Sequence, residues 1–451
     1  MMFADSQLLF SPESLGTTPC ARAAAASKRS LARATLDSAT AILDGLANGG
    51  CGGLEQAYIA VERLRRRLAI GDATAKTVEP VFYEWYFRCI ALIRRREFDA
   101  LLDHAHRLPA ISAVPLARSG DLDVRTGEPL TVTVPESGEF LLSERVVGGF
   151  PSAGLRPGAA AIATDGTTVH VQQLGRPDLE LALPELVDSA TVAVPGAPIT
   201  FWQASPALDR VVADYQNDLA QIHLDTRPFQ VRSPEDLQGG SAGGYVERFA
   251  AGLDLIKNCW PDLYEETCAL TDHFTLIRGT PFIGGSAIGC LGVSFFKLLP
   301  EWSDICFADH IVHEAAHQRL HVEFELEPAL ANGGFFGSAS PIRRDPRPLY
   351  GVLHATFVFM RLSLFLERVI EIEYSLEAER RLHRHVLGLY SGIEQLERHG
   401  EWNPRGAQLF SEMRVVADRL RKRIPSPDPE LYTRLGPDYE PVRALTTAYY
   451  D

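Results

Sequence analysis

The spacing of apolar positions changes along the chain, and each change marks a stretch of different structure. In LEQAYIAVERLRRRLAI (54–70), Leu54, Ala57, Tyr58, Val61, Leu64 and Leu68 recur at helical intervals with arginines opposite, which predicts an amphipathic helix. Residues 78–108 continue in the same mode, and their cluster Phe82, Tyr83, Trp85, Tyr86 and Phe87 is expected in the core. From 121 to 204 the period shortens. LTVTV (130–134), EFLLS (139–143), AAIAT (160–164), TTVHVQQL (167–174) and TVAVP (191–195) read as short strands, with Asp165-Gly166 as a hairpin turn. Helical spacing returns at 206–223 and 245–272. The glycine-rich PFIGGSAIGCLGVSFFKLLP then feeds a strand at about 290–297, a candidate for pairing with an extended peptide. Further helices are expected at about 303–322, 351–373, 376–399 and 404–423. A Gly/Pro-rich connection separates the first two, and its segment 332–340 is a candidate lid.

This pattern predicts an α+β, mainly α-helical protein, with a small β-rich module in the middle of the chain and a helical catalytic body after it. The segments are a poorly ordered N-terminus (1–27), an N-terminal helical region (28–110), the β-rich module (111–204), a helical region (205–425) and a Pro-rich tail (426–451). No repeat of fixed period interrupts them. Composition adds exclusions. Over 451 residues the formal net charge is −14, so no cationic excess suits a nucleic-acid partner. No membrane span is expected from the hydropathy. The 7 cysteines are scattered without a CxxC pair, and the first residues lack a basic and apolar leader. Both point to a reducing, cytoplasmic setting.

The candidate chemistry lies in HIVHEAAHQRLH (310–321), where His310, His313, His317 and His321 recur at helical spacing. Within it, HEAAH places His313 and His317 four residues apart, so both rings project from one side of a helix toward a single ion. His321 lies eight residues beyond His313, about 12 Å along the axis, too far for one ion to span with it. His310 and His321 are therefore expected at the periphery. A third ligand must come from elsewhere, and two candidates stand on the next helix, His354 and Glu367. Two histidines and a glutamate suit a zinc peptidase with Glu314 as the general base. Three histidines also bind zinc, and their open positions equally suit iron and oxygen chemistry. Arg361 lies seven residues past His354, on the same helix face. A non-catalytic, peptide-binding scaffold is the third alternative.

IVHEAAHQRL (311–320), RRDPRPLYGVLHATFVF (343–359), GGSAIGCLGVS (284–294) and HGEWNPRGAQLF (399–410) together resemble the HExxH-motif peptide-modification proteins of ribosomal peptide pathways. Some members of that family are α-ketoglutarate-dependent iron hydroxylases. The resemblance covers about the last two hundred residues. It implies Fe(II) held by His313, His317 and His354, with α-ketoglutarate as cosubstrate and an arginine fork gripping its far carboxylate: Arg347, inside DPRPL, matches the family pattern, and Arg361, on the His354 face of its helix, is the geometric alternative. It further implies molecular oxygen and a ribosomal precursor peptide as the other reactants, with hydroxylation at a side-chain β-carbon. In that scheme Glu314 orients a ligand or a bound water.

Overall fold

The computed structural model describes residues 18–70, 80–118, 122, 129–134, 139–142, 145–148, 155–182, 191–202, 230–231, 245–278, 284–286, 288–297, 302–325, 327–338 and 347–424. The helix expected at 206–223 and the tail after Pro425 lie outside them, as do residues 339–340 of the candidate lid. The fold is α+β and mainly helical.

Five helices come first: α1 (Ala21–Asn48), α2 (Glu55–Ile70), α3 (Pro80–Arg95), α4 (Phe98–Ala105) and α5 (Leu108–Arg118). The alanine-rich run after Cys20 makes helix the cheapest backbone state, so α1 begins inside the segment expected to be poorly ordered. The helical stretch 78–108 is interrupted where Arg96 adopts φ 61°, a left-handed conformation that stops a helix. Trp85 fills the bend that follows, and its indole N–H donates to the His104 carbonyl at 2.9 Å.

The strands are β1 (Leu130–Val134), β2 (Glu139–Leu142), β3 (Arg145–Gly148), β4 (Gly158–Thr164), β5 (Thr168–Gln172), β6 (Leu179–Ala182), β7 (Thr191–Ala193), β8 (Thr200–Trp202) and β9 (Gln230–Val231). One antiparallel sheet runs β1-β4-β5-β6. Its β4–β5 turn is the Asp165-Gly166 pair: Gly166 takes φ 95°, and the Asp165 carboxylate accepts the Thr167 and Thr168 N–H groups at 2.8 Å each.

The strands of the 111–204 segment divide between sheets. β7 and β8 join the next part of the chain: α6 (Tyr245–Cys259), α7 (Pro261–Leu270), β10 (His273–Arg278), β11 (Gly284–Gly285) and β12 (Val293–Phe296). This second sheet is ordered β11-β12-β10-β8-β7, with β9 also on β10. β10 runs parallel to both β8 and β12. All four residues of β12 are buried, as expected of a parallel strand covered on both faces. β12 is flanked by β10 and, at Phe295 and Phe296, by β11, and Gln318 takes the Val293 carbonyl, so it offers no continuous edge for the peptide pairing expected at 290–297.

The C-terminal region comprises α8 (Asp304–Phe324), the short ladder β13 (Phe336–Ser338) and β14 (Arg347–Pro348), then α9 (Leu349–Ile372), α10 (Leu376–His399) and α11 (Pro404–Arg423). α9 and α10 form a tight hairpin. Gly388 faces the Phe359 ring, where a Cβ would come within 2.6 Å, and one at Gly392 would collide with Thr356. Among the described residues α9 alone is long and apolar enough to cross a membrane; 83% of that apolar stretch is buried inside the protein, as in a core helix. Its apolar side chains join those of α6, α8, α10 and α11 in one core, and a second core gathers α1–α5 with β1, β4, β5 and β6.

Candidate metal centre

The motif helix α8 is held on three sides. At its start the Ser303 hydroxyl accepts the Cys306 N–H at 3.0 Å and donates to Glu377 of α10 at 2.7 Å. Further along, Asp309 Oδ1 lies 2.8 Å from His385 Nε2, also on α10. Burial would raise the Asp309 pKa, but His385 and Arg381 outweigh it and hold the carboxyl well below its ordinary range. Toward the sheet, the Gln318 amide donates to the Val293 carbonyl at 2.8 Å and accepts the Gly292 N–H at 3.1 Å.

These anchors leave one stripe of the helix open. From Cys306 to Phe324 every residue is buried except His310, His313, His317 and His321. The fold thus turns the four histidines toward one partly accessible face. His310 stacks flat on Trp302, with ring centroids 4.2 Å apart, which keeps it at the edge of the group.

The remaining rings converge with His354 of α9. His317 Nδ1 lies 3.1 Å from His354 Nδ1. Ring centroids are 5.0 Å apart for His313 and His317, 5.4 Å for His317 and His354, and 4.8 Å for His321 and His354. Two nitrogens bound to one ion at about 2.0–2.1 Å lie roughly 3.0–3.4 Å apart, which brackets the His317–His354 approach. Tyr350, one turn before His354, packs against the same ring with centroids 4.5 Å apart. Burial, then the neighbouring histidines, drives the pKa of both His317 and His354 well down. Both are therefore neutral imidazoles, the form that binds metal. His354 Nε2 is buried and has no hydrogen-bond partner among the described residues. As the side chains stand, no group of three His, Cys, Asp or Glu among the described residues has metal-holding geometry. The structure assembles the His317–His354 pair and brings His313 and His321 into contact with it.

Glu314 points elsewhere. Its carboxylate is 3% exposed, 4.0 Å from His313 Nε2, and lies against Gly284 of β11, where a Cβ would come within 2.7 Å of Oε1. Burial pushes its pKa up to about 8, opposed by the Ser286 hydroxyl. The same stretch reaches the histidines, because the His321 ring bonds to the Ser286 backbone. The glycine-rich GGSAIGCLGVS is therefore a surface shaped to lie against α8.

Of the other predicted residues, Arg347 stands beside the cluster, and its charge contributes to lowering the His317 pKa. Arg361 faces away from solvent into an ion pair with Glu266, Nη2 to Oε1 3.1 Å, with Phe357 beneath its guanidinium. Glu367 does not join the histidines: Arg419 and Arg423 of α11 hold it, at 2.5 and 2.9 Å. Of the two candidates for a third ligand, His354 is the one that reaches the motif helix. Tyr350, Ser286 and Gly284 were not readable as site residues. The glycine run pointed to Ser286 and Gly284, and the DPRPLYGVLHA motif to the neighbourhood of Tyr350.

No protein-family model matches the chain, and no curated protein matches it in sequence.

Proposed function

We propose that this protein is an Fe(II)- and α-ketoglutarate-dependent oxygenase that hydroxylates a side-chain β-carbon of a ribosomally made precursor peptide. The observation that carries the proposal is the 3.1 Å approach of His317 and His354, from two different helices, on the one open stripe of a buried HExxH helix. The residues fit the ion: the Nδ1 atoms of the pair have the spacing of adjacent ligands, and both rings are neutral. His313, His317 and His354 would hold it. When bound, iron with the keto acid and dioxygen supplies the oxidising power that places one oxygen atom in a C–H bond, while the keto acid leaves as succinate and carbon dioxide.

The chain's own residues do the positioning. Arg347, close enough for its charge to act on His317, would grip the keto acid's carboxylate, a task its fork geometry suits. Glu314, packed between His313 and Gly284, holds the His313 side of the stripe. Tyr350 and the buried wall of α9 shield the far side of the cluster from water. A zinc peptidase would need Glu314 ionised and facing a bound water. Here its carboxylate is buried against β11, which favours the oxygenase. All seven cysteines are free, in keeping with the cytoplasmic setting proposed for it.

The test is anaerobic reconstitution with Fe(II), then addition of oxygen, keto acid and candidate precursor peptides. Succinate formation with a one-oxygen mass gain on the peptide is expected, both lost in His317→Ala. Peptide cleavage that requires zinc and Glu314 would overturn the proposal.

A further inference from the structure

Behind the histidine stripe lies a buried carboxylate that touches both ligand-bearing helices. Glu266 of α7 is 3% exposed. Its Oε2 lies 3.5 Å from Arg319 Nη1 and accepts the Cys20 N–H, at the start of α1, at 2.8 Å. Its Oε1 lies 3.1 Å from Arg361 Nη2. Arg319 is two residues past His317 and so on the opposite side of α8; Arg361 is seven residues past His354 on α9. Both arginines are 1% exposed. Arg319 is also paired with Glu323 at 2.7 Å, and Glu323 in turn holds Ser27 and Arg405. Arg361 is less well provided. None of its guanidinium nitrogens makes a well-aligned hydrogen bond among the described residues, so the charge of Glu266 is what fixes it in place.

We infer that Glu266 is a positioning residue for the metal centre, setting the relative placement of the helices that carry His317 and His354 through Arg319 and Arg361. The inference rests on the reading that those two histidines share an ion. Two ligands on separate helices meet at 3.1 Å only if the helices keep a fixed rotation and offset. Packed apolar side chains oppose separation of the helices, but a shared, buried, two-armed ion pair also fixes rotation and sliding. This gives Arg361 a role other than binding the keto acid.

The test uses full-length protein and Co(II) as the probe, read by its visible absorption spectrum and by titration, alongside thermal unfolding of the metal-free form. Glu266→Gln, which keeps shape and removes charge, is expected to weaken Co(II) binding about tenfold or more and to change the spectrum, as outer partners of metal ligands do. Glu266→Asp should recover part of both. If Glu266→Gln does not fold, Arg361→Met cuts the α9 arm alone and should produce the same weakening. A folded variant of either kind with unchanged Co(II) affinity and spectrum overturns the inference, even where its melting temperature falls. Wild-type protein that binds no Co(II) overturns it together with the metal reading. Wild-type protein that binds Co(II) but never forms succinate with iron sinks the oxygenase alone.

Discussion

The two sides of the motif helix are both rich in polar groups, and they are built on opposite rules. On the reverse side, Arg319, Glu323, Glu266 and Arg361 are buried and offset one another's charge through ion pairs, with the half-buried Arg405 closing the group on Glu323. On the open side, His313, His317, His321 and His354 crowd together as like groups, with the His354 Nε2 unmet among the described residues. Opposite charges buried together offset one another and fix a packing; like imidazoles buried together do not, and such clusters are where ligand-binding chemistry is sought. The contrast is why the proposed chemistry is assigned to one side and the scaffold to the other.

That contrast can be broken by substitution. The largest stability effect is expected on the matched side: Arg319→Leu leaves Glu266 and Glu323 buried with less compensation and should cost about 3–5 kcal/mol in chemical denaturation. Next comes the floor of the site. Gly284→Ala forces Glu314 and Phe295 to give way and should cost about 1–3 kcal/mol, with a weaker metal response. On the open side, His317→Ala should change metal-free stability by less than about 1 kcal/mol while abolishing Co(II) binding. A loss of stability as large as that of Arg319→Leu would erase the distinction. The smallest effect is a slope. Asp309 has a folded pKa below its unfolded value, so its contribution is fully present above about pH 4 and is lost as pH falls further. Asp309→Asn should flatten stability against pH in that range, measured by denaturation at a series of pH values.

Much of the helical framework was readable from pattern alone. α10 and α11 match their expected bounds because amphipathic spacing begins after Ser375 and at Pro404, both good helix starts. The sheet was harder. HFTLI of β10 (273–277) is buried without alternation and follows a helix closely, so periodicity did not separate it. Its partners β8 and β12 are parallel and distant in the chain. In the site, the spacing of His313 and His317 followed from helix geometry. For Arg361 the helical face did not reveal its partner, because Glu266 sits on a helix far earlier in the chain. The same limit applied to Glu314, whose neighbour Gly284 arrives on a strand, and to Glu367, whose arginines come from α11.

The apolar character of α9 carries a consequence for biogenesis. Its cover on one flank is supplied by residues 376–423, which leave the ribosome after it. Until they emerge, the nascent chain displays a hydrophobic rod that resembles a transmembrane segment in length and composition. A chain terminated just after Ile372 is therefore expected to aggregate or to be captured by chaperones, although every histidine of the cluster has already been translated.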